Sequence, residues 1–589
     1  MVINTYQLAI TKQTVILDTL TQQSLKLSIT RFLLFGLLIS NIWFYFSSKS
    51  NLLIVSSILI LGIFIWLINI YSKKQWEIKI ITKKIDLLKA EIAFLQSGSI
   101  ENDNGSSFID GDHPYSYDLD IFGSNSLFQH INRTITFGGK ENLALRLSKP
   151  LHSNQIIDNQ HAISELSTLP DFRSQFAAIG SVLADDKIEY QRLLDWLKSD
   201  TSQYIFNKSL LIILSIVPVL SYGLSIIFEY KILTAILYSS ITLNIILLLY
   251  NFKKIQKEIT VSQKIIETTK KYGLLLEIVE KENFKTNLLQ TLQEKLNTAT
   301  YKSSEALSNF SKLLSSLDSI HNLLPATLVN SVSLYHLHQY NALIDWKKAN
   351  NTLVKVWVDV VSDFDALQSF AGFSYNNPTY VMPKISDQKT IEFKELGHPL
   401  ISNDHRINNN IDFKNTFYIL TGSNMSGKST FLRTIGLNLV LAMAGAKVCA
   451  SSAEFYAVNL WTSMRQNDAL HKNYSYFFSE VQRLKIIFDH FQAENLFILL
   501  DEILKGTNSE DKLHGSLEVS KKILQRNING VIATHDIEVA DLTQSFPNAK
   551  AIYFQSNIVN NDITFDYQLR EGICTSKSAT FLLKREGVI

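Results

Sequence analysis

The sequence predicts a mainly α N-terminal and core region carrying four transmembrane helices, followed by a C-terminal α/β P-loop domain. Three observations predict this. Four dense apolar blocks each approach the length of a bilayer-spanning helix, the stretches around them keep helical spacing, and residues 417–435 read as strand, glycine loop and helix. At 589 residues the chain exceeds one ordinary hydrophobic core. Composition shifts divide it into a membrane hairpin with an amphipathic helix (1–96), a linker (97–117), a first core part (118–200), a second membrane hairpin (201–257), further core helices (258–375) and the C-terminal α/β domain (376–589). Lys plus Arg number 56 against 54 Asp plus Glu, a net charge of +2, so no global field points to nucleic acid and any basic surface is local. The two cysteines, Cys449 and Cys574, exclude a disulfide framework or a cysteine metal cluster and suit a reducing compartment.

Residues 1–30 are helix-compatible and lack the small-residue cleavage site of a secretory signal. Phe32 to Phe46 and Leu52 to Tyr71 are almost wholly apolar and separated by a short polar turn, and Trp43, Tyr45, Trp66 and Tyr71 lie toward their ends. They read as a membrane hairpin with interfacial aromatics. A second pair, Ser209–Phe228 and Ile232–Tyr250, is separated by Glu229, Tyr230 and Lys231, and its Pro218 is tolerable in a membrane helix. Lysines and arginines flank the outer ends of both hairpins, whereas the turns hold Lys49 and Lys231. The positive-inside rule therefore sends both hairpins out from the cytoplasm and back, which predicts a multi-pass protein of the inner (cytoplasmic) membrane with its ATP site inside.

After the first hairpin, Ile78, Ile81, Ile85, Leu88, Ile92 and Leu95 form a heptad seam, compatible with pairing two subunits or with packing on the chain's own core. Residues 97–117 are rich in Gly, Ser, Asn and Asp and read as a linker. The core that follows reads as helices with a glycine turn at Gly138-Gly139, and Leu307, Phe310, Leu313, Leu314 and Leu317 form one apolar helix face further on.

The chemistry concentrates in the last third. Phe417 to Leu420 is a buried-strand pattern, and Thr421-Gly422-Ser423-Asn424-Met425-Ser426-Gly427-Lys428-Ser429-Thr430 contains G-x4-G-K-S before a helix. Such a loop turns backbone N–H groups onto a phosphate chain, with the Lys428 ammonium on the β- and γ-phosphates and the Ser429 hydroxyl on Mg2+. Asn495 to Leu500 is an apolar strand ending in Asp501 and Glu502. If that strand lies beside the glycine loop, Asp501 meets the metal and Glu502 the attacking water. Gly530 to Ala533 is a third strand, and His535 after it is a candidate γ-phosphate sensor or water-positioning group.

TGSNMSGKST, LLDEILKGTNSED, ATHD and the segment Tyr474 to Val481 together resemble the ATPase domain of the MutS mismatch-repair family, an ABC-type ATPase. SLFQHINRTITFGGKENLALRLSKPL is similar to the start of that family's core domain, ELGHPLI to the approach to the glycine loop, and REGICTSKSATFLLKREGVI to the end of the ATPase domain. The resemblance implies ATP and Mg2+ as cofactors, phosphate and metal binding by the loop, metal binding by Asp501 and water activation by Glu502. It also implies γ-phosphate sensing by His535, Asp468 near the segment that couples the site to the core, and Ser475 acting in trans on the nucleotide of a second copy, hence a homodimer. Ser423 and Ser426 replace a proline and a glycine of the family loop, Tyr476 a threonine of the signature segment and Lys505 an arginine, which bears on the trans contact.

The resemblance is partial. The first 117 residues show no mismatch-recognition domain with a Phe-x-Glu wedge, residues 258–357 are short for lever helices plus a DNA clamp, and no dimerisation extension is expected after Ile589. Two readings follow: a membrane-anchored MutS-like ATPase that binds double-stranded DNA as a nucleotide-driven dimer, or a membrane mechanoenzyme or signalling ATPase whose partner is a protein.

Overall fold

The computed structural model describes residues 2–98, 102–183, 185–199, 204–228, 230–297, 301–423, 425–465, 476–559 and 562–574. Helix α1 (Val2–Ser48) and helix α2 (Asn51–Ser97) form an antiparallel hairpin that reverses at Lys49. Each apolar block is part of a much longer helix, because nothing in the flanking sequence stops the i→i−4 ladder. The two helices are pinned across the apolar region by Asn41 Nδ2 donating to Ser56 Oγ at 2.7 Å, and at its inner edge by the Arg31 guanidinium 3.7 Å over the Tyr71 ring. The heptad seam is used within the chain: Ile85 and Leu88 are buried where α2 packs along α1 and a core helix, α6 (below). The Glu91 carboxylate at the end of that seam takes an ion pair from Arg133 and a 2.9 Å hydrogen bond from Asn376.

The first core part holds α3 (Leu127–Ile131), α4 (Phe137–Ser148), α5 (Ser153–Ser167), α6 (Pro170–Val182) and α7 (Lys187–Lys198). Their starts follow capping chemistry: Ser126, Thr136 and Asp186 accept the N–H three residues on, and Pro170 opens α6. The second apolar hairpin is α8 (Lys208–Phe228) with the first part of α9 (Lys231–Lys281), which continues into the core. Next come α10 (Asn287–Glu294), α11 (Ser303–Asp318), α12 (Leu323–Ser333) and the 42-residue α13 (Tyr335–Asn376). Leu307, Phe310, Leu314 and Leu317 are buried between α11 and its neighbours α9 and α13, so that face is core. Among the described residues four helices are long and apolar enough to cross a membrane: α1, α2, α8 and the first thirty residues of α9.

Gly138-Gly139, expected as a turn, lies instead in the first turn of α4 with both residues buried. The reason is close approach: a Cβ on Gly139 would sit 2.2 Å from the Asp365 carboxylate of α13. Residues 102–117, expected as a linker, are packed. Asp103, Asn104 and Asp110 accept backbone N–H groups two residues on, so the Asn/Asp composition satisfies the backbone locally while Tyr115 and Ser116 bury.

Two sheets follow. β1 (Lys384–Ile385), β2 (Ile391–Leu396), β3 (Asn409–Phe413) and, further on, β5 (Ser452–Phe455) form a four-stranded sheet ordered β1-β5-β2-β3. β4 (Phe417–Thr421), α14 (Lys428–Met443), β6 (Asn459–Ser463), α15 (Tyr476–Asp489), β7 (Leu496–Asp501), α16 (Ser509–Gln525), β8 (Asn529–Thr534), α17 (Leu542–Ser545), β9 (Ala549–Val559) and β10 (Asp562–Glu571) make the other layer. Its six-stranded sheet runs β10-β9-β4-β8-β7-β6, parallel apart from the antiparallel edge strand β10. β4, β7 and β8 are buried along their whole length, as expected of parallel strands covered on both faces.

The core and this α/β layer meet through Asp118, which accepts from Thr462 Oγ1 at 2.7 Å and from the backbone of Met464 and Arg465. Asp365, fully buried in α13, accepts from Ile135 N, Thr136 N and Thr136 Oγ1, the last at 2.7 Å. Burial raises its pKa to about 6 against the lowering effect of those donors. Asp365→Ala leaves three buried donors unpaired, so we expect a loss of about 3 kcal/mol of stability; a chemical-denaturation midpoint unchanged from wild type would refute the role given to this carboxylate.

Candidate nucleotide site

The glycine loop leaves β4 with its end fixed on both sides, since Thr421 pairs with Thr534 of β8 and Tyr553 of β9. Gly422 and Gly427 have φ of 152° and 98°, and a Cβ on either would stand 3.0 Å or less from a neighbouring atom. For Gly427 that neighbour is the Tyr567 ring. The loop thus needs glycine at both positions, and it delivers the chain directly into α14, whose first turn has no acidic residue. A helix N-terminus with free N–H groups and a positive dipole end favours an anion there. Lys428 Nζ donates to the carbonyls of Gly422 and Ser423 at 3.0 and 3.1 Å and lies 3.6 Å from Glu502 Oε1. Burial lowers its pKa, opposed by Glu502 and Asp501.

The three strand ends converge as the spacing predicts, with one correction. The strand carrying Asp501 is not beside β4: β8 lies between them, with Ala533 paired to both Leu420 and Asp501. The helix, not the strand order, closes the gap, because Ser429 Oγ donates to Asp501 Oδ2 at 2.5 Å. Asp501 Oδ1 is buried with no hydrogen-bond partner. Burial raises the pKa of Asp501, partly offset by Ser429.

Glu502 turns out of β7 with φ 48° while its N–H donates to Ala533 O at 2.8 Å. That left-handed turn aims the carboxylate back over the loop, where it meets His535 Nε2 and, at 3.1 Å, Lys505 Nζ. Burial acts to raise its pKa, but His535 and Lys505 together outweigh burial and hold it down at about 2. His535 Nδ1 stands 3.0 Å from Gly422 O, so one imidazole touches the loop and the carboxylate at once. Lys505, a departure from the family pattern, is therefore a partner of Glu502. Thr430 continues α14 beside the loop, Met425 is the exposed crest of the loop, and Ser423 and Ser426 each bury an Oγ without a partner. Asn424, Asp468 and Ser475 lie outside the described residues.

Beside Gly427 and Thr430 opens a cavity of about 270 Å3 lined by His398, Ile401, Ile407, Phe431, Phe554 and Tyr567. In the sequence His398 is legible only as part of ELGHPLI, and Tyr567 carries no signal because its partner in space is Gly427, far away in the chain. Burial, with Arg433 and Arg406 nearby, lowers the His398 pKa to about 4, so its ring is neutral at physiological pH. Neutral and aromatic walls next to an anion cradle suit a planar base attached to phosphates.

The donor set also fits a hard divalent cation. Ser429 Oγ and the orphaned Asp501 Oδ1 are oxygen ligands, and among the described residues no group of three or more His, Cys, Asp and Glu side chains forms a metal cage. A cation held by one carboxylate, one hydroxyl and phosphate oxygens is the usual Mg2+ arrangement.

Residues 418–582 match the family model described as MutS domain V. Over 232 residues the chain is 32% identical to MutS protein homolog 4 of Homo sapiens, an alignment covering 37% of this chain and 24% of that protein. It is 29% identical over 223 residues to DNA mismatch repair protein MutS of Staphylococcus haemolyticus (36% and 25%), and 29% over 239 residues to DNA mismatch repair protein MSH4 of Arabidopsis thaliana (39% and 30%). The chain thus spans about a quarter of the length of the curated relatives it matches.

Asp501→Asn keeps the shape of the site but removes the charge that a cation needs. Titration of the purified protein with a non-hydrolysable ATP analogue should show tighter binding with Mg2+ for wild type and a Mg2+ effect weaker by tenfold or more, on the order of 1.4 kcal/mol, for the variant; equal Mg2+ dependence would remove Asp501 from the metal site.

Proposed function

We propose, from the premise that the C-terminal domain of this chain belongs to the MutS family, that the protein is a membrane-anchored MutS-type ATPase. The observation that carries the reading is the meeting of Lys428, Ser429, Asp501, Glu502 and His535 at one set of strand ends. ATP is held with its phosphates on Gly422, Ser423, Asn424, Met425, Ser426, Gly427, Lys428, Ser429 and Thr430 and its base against His398 and Tyr567. Ser429 and Asp501 hold Mg2+, which neutralises phosphate charge when bound. Lys428 exchanges the Gly422 and Ser423 carbonyls for phosphate oxygens, and this takes a cation away from Glu502. The Glu502 carboxylate orients the attacking water as general base. His535, in contact with both Gly422 O and Glu502, carries a change at the phosphates to the base.

Ser475 of a second copy completes the site, which makes the working unit a homodimer. The four apolar helices support a multi-pass protein of the inner (cytoplasmic) membrane with the ATPase domain in the cytoplasm, and the relatives' printed role in DNA mismatch repair supports double-stranded DNA as the ligand of the moving core. A second reading, with a protein as partner, is favoured by the net charge of +2 and by the apolar surface of the second hairpin at the end of the long core helices.

Glu502→Gln should bind ATP as wild type does while turnover falls by about 10²–10⁴-fold. Retained turnover in a phosphate-release assay would take the base role from Glu502. For the ligand, duplex DNA should bind at low salt with an affinity that falls steeply as salt rises; an active ATPase without DNA affinity at low salt would leave the protein-partner reading.

A further inference from the structure

Helix α12 carries no charge and belongs to no apolar block seen in the sequence. Between Asp318 and Asp345 the chain has no Asp, Glu, Lys or Arg. Within that stretch α12 turns Ala326 and Asn330 inward and leaves Leu324 81%, Leu328 70%, Val329 46% and Val332 38% exposed on one broad face. Such a face on a short helix is costly in water.

Its position explains the face. The charged edge of the second hairpin is marked by Lys208, the first residue of α8, whose Nζ lies 2.6 Å from Asp345 Oδ2 on α13. From that pair, Leu214 and Ser215 stand about 10 Å along α8, and Tyr335 stands about 15 Å along α13 in the same direction, at 1.5 Å rise per residue. The end of α12 is fastened at that depth. Ser215 Oγ donates to Ser333 O at 2.8 Å, and Asn244 Nδ2 of α9 donates to Ser331 O at 3.0 Å and to Leu214 O at 3.3 Å. Polar hairpin side chains thus satisfy the last carbonyls of α12, groups that a helix end in hydrocarbon must not leave open.

We propose that α12 is a further membrane-embedded element: it lies in the cytoplasmic leaflet against α8 and α9, with Leu324, Leu328, Val329 and Val332 facing lipid acyl chains. The inference rests on the membrane reading of the second hairpin and extends it to a segment that does not span. Its consequence is mechanical. α13 starts inside the leaflet at Leu334, where the chain turns with φ 48°, and runs to the ATPase side of the core at Asn376, so movement of the core displaces a lipid-seated helix.

The test uses the full wild-type chain in vesicles of phosphatidylglycerol and phosphatidylethanolamine doped with a lipid bearing a diazirine in its acyl chain. After photolysis, peptide mass spectrometry should find carbene adducts both on 208–228 and on 323–333, and Leu324→Lys with Leu328→Lys should lose the adducts on 323–333 while keeping those on 208–228. Adducts on 208–228 with none on wild-type 323–333 would overturn the proposal and leave the hairpin in the membrane, with a protein surface or a second copy covering α12. Adducts on neither segment overturn the membrane reading itself, and the inference with it.

Discussion

A single buried carboxylate ties the two parts of the helical core together. Asp365, in the last third of α13, takes the N–H groups of Ile135 and Thr136, just ahead of α4, and the Thr136 hydroxyl, and Gly139 gives it room to approach. Its charge is expensive at that depth, as its raised pKa records, and the donors around it offset that cost only while α4 and α13 stay in register. The nearby Lys271 ammonium stands 4.0 Å from Asp185 and donates to Ile135 O, so a second buried charge is held by the same turn. Everything that moves α4 therefore moves α13, and α14 of the nucleotide site packs against α4.

The nucleotide site shows the same economy of shared partners. Glu502 stands at the centre of one electrostatic group with His535, Lys428 and Lys505. The low pKa of Glu502 comes from His535 and Lys505, which outweigh the burial that acts to raise it. Arg433, on α14 one turn beyond Ser429, donates to Asp118 O at 3.2 Å and pairs with Asp120 at 3.4 Å, while Asp118 also caps the backbone of Met464 and Arg465. The loop-helix unit is thereby fastened to the start of the core at Asp118 and Asp120.

What was legible in the sequence is what local chemistry dictates. The loop from Gly422 to Thr430 needs contiguous residues to wrap phosphates, and apolar helices need long uniform runs, so both stood out and both formed. Illegible features are those set by partners far away in the chain. Gly138-Gly139 reads as a turn until Asp365 is brought against it; the place of β8 between β4 and β7 depends on crossovers no local pattern encodes; His398 and Tyr567 meet only after both sheets have folded. The 97–117 segment misled for a different reason. Its Asp and Asn side chains resemble a solvated linker in composition, yet they bond to the backbone two residues ahead and free it to pack. The heptad seam on α2 fitted two partners equally, and packing against α1 and α6 decided it.

The long helices explain why this arrangement can act at a distance. α13 has 42 residues, on the order of 60 Å at 1.5 Å per residue, and its hydrogen-bonded ladder resists compression. Shifting one end must rotate or translate the other. Asp365 is one fixed point along it and the Lys208–Asp345 pair, with the Tyr204 hydroxyl 2.5 Å from the same carboxylate, is another. Between them, Trp357 and Phe364 are fully buried, which leaves little slack for bending. α9 packs against it and runs from hairpin to core as one 51-residue helix, so two long helices join the core to the apolar end of the molecule. A displacement of α14 would reach these helices through α4, which packs against both α14 and α13.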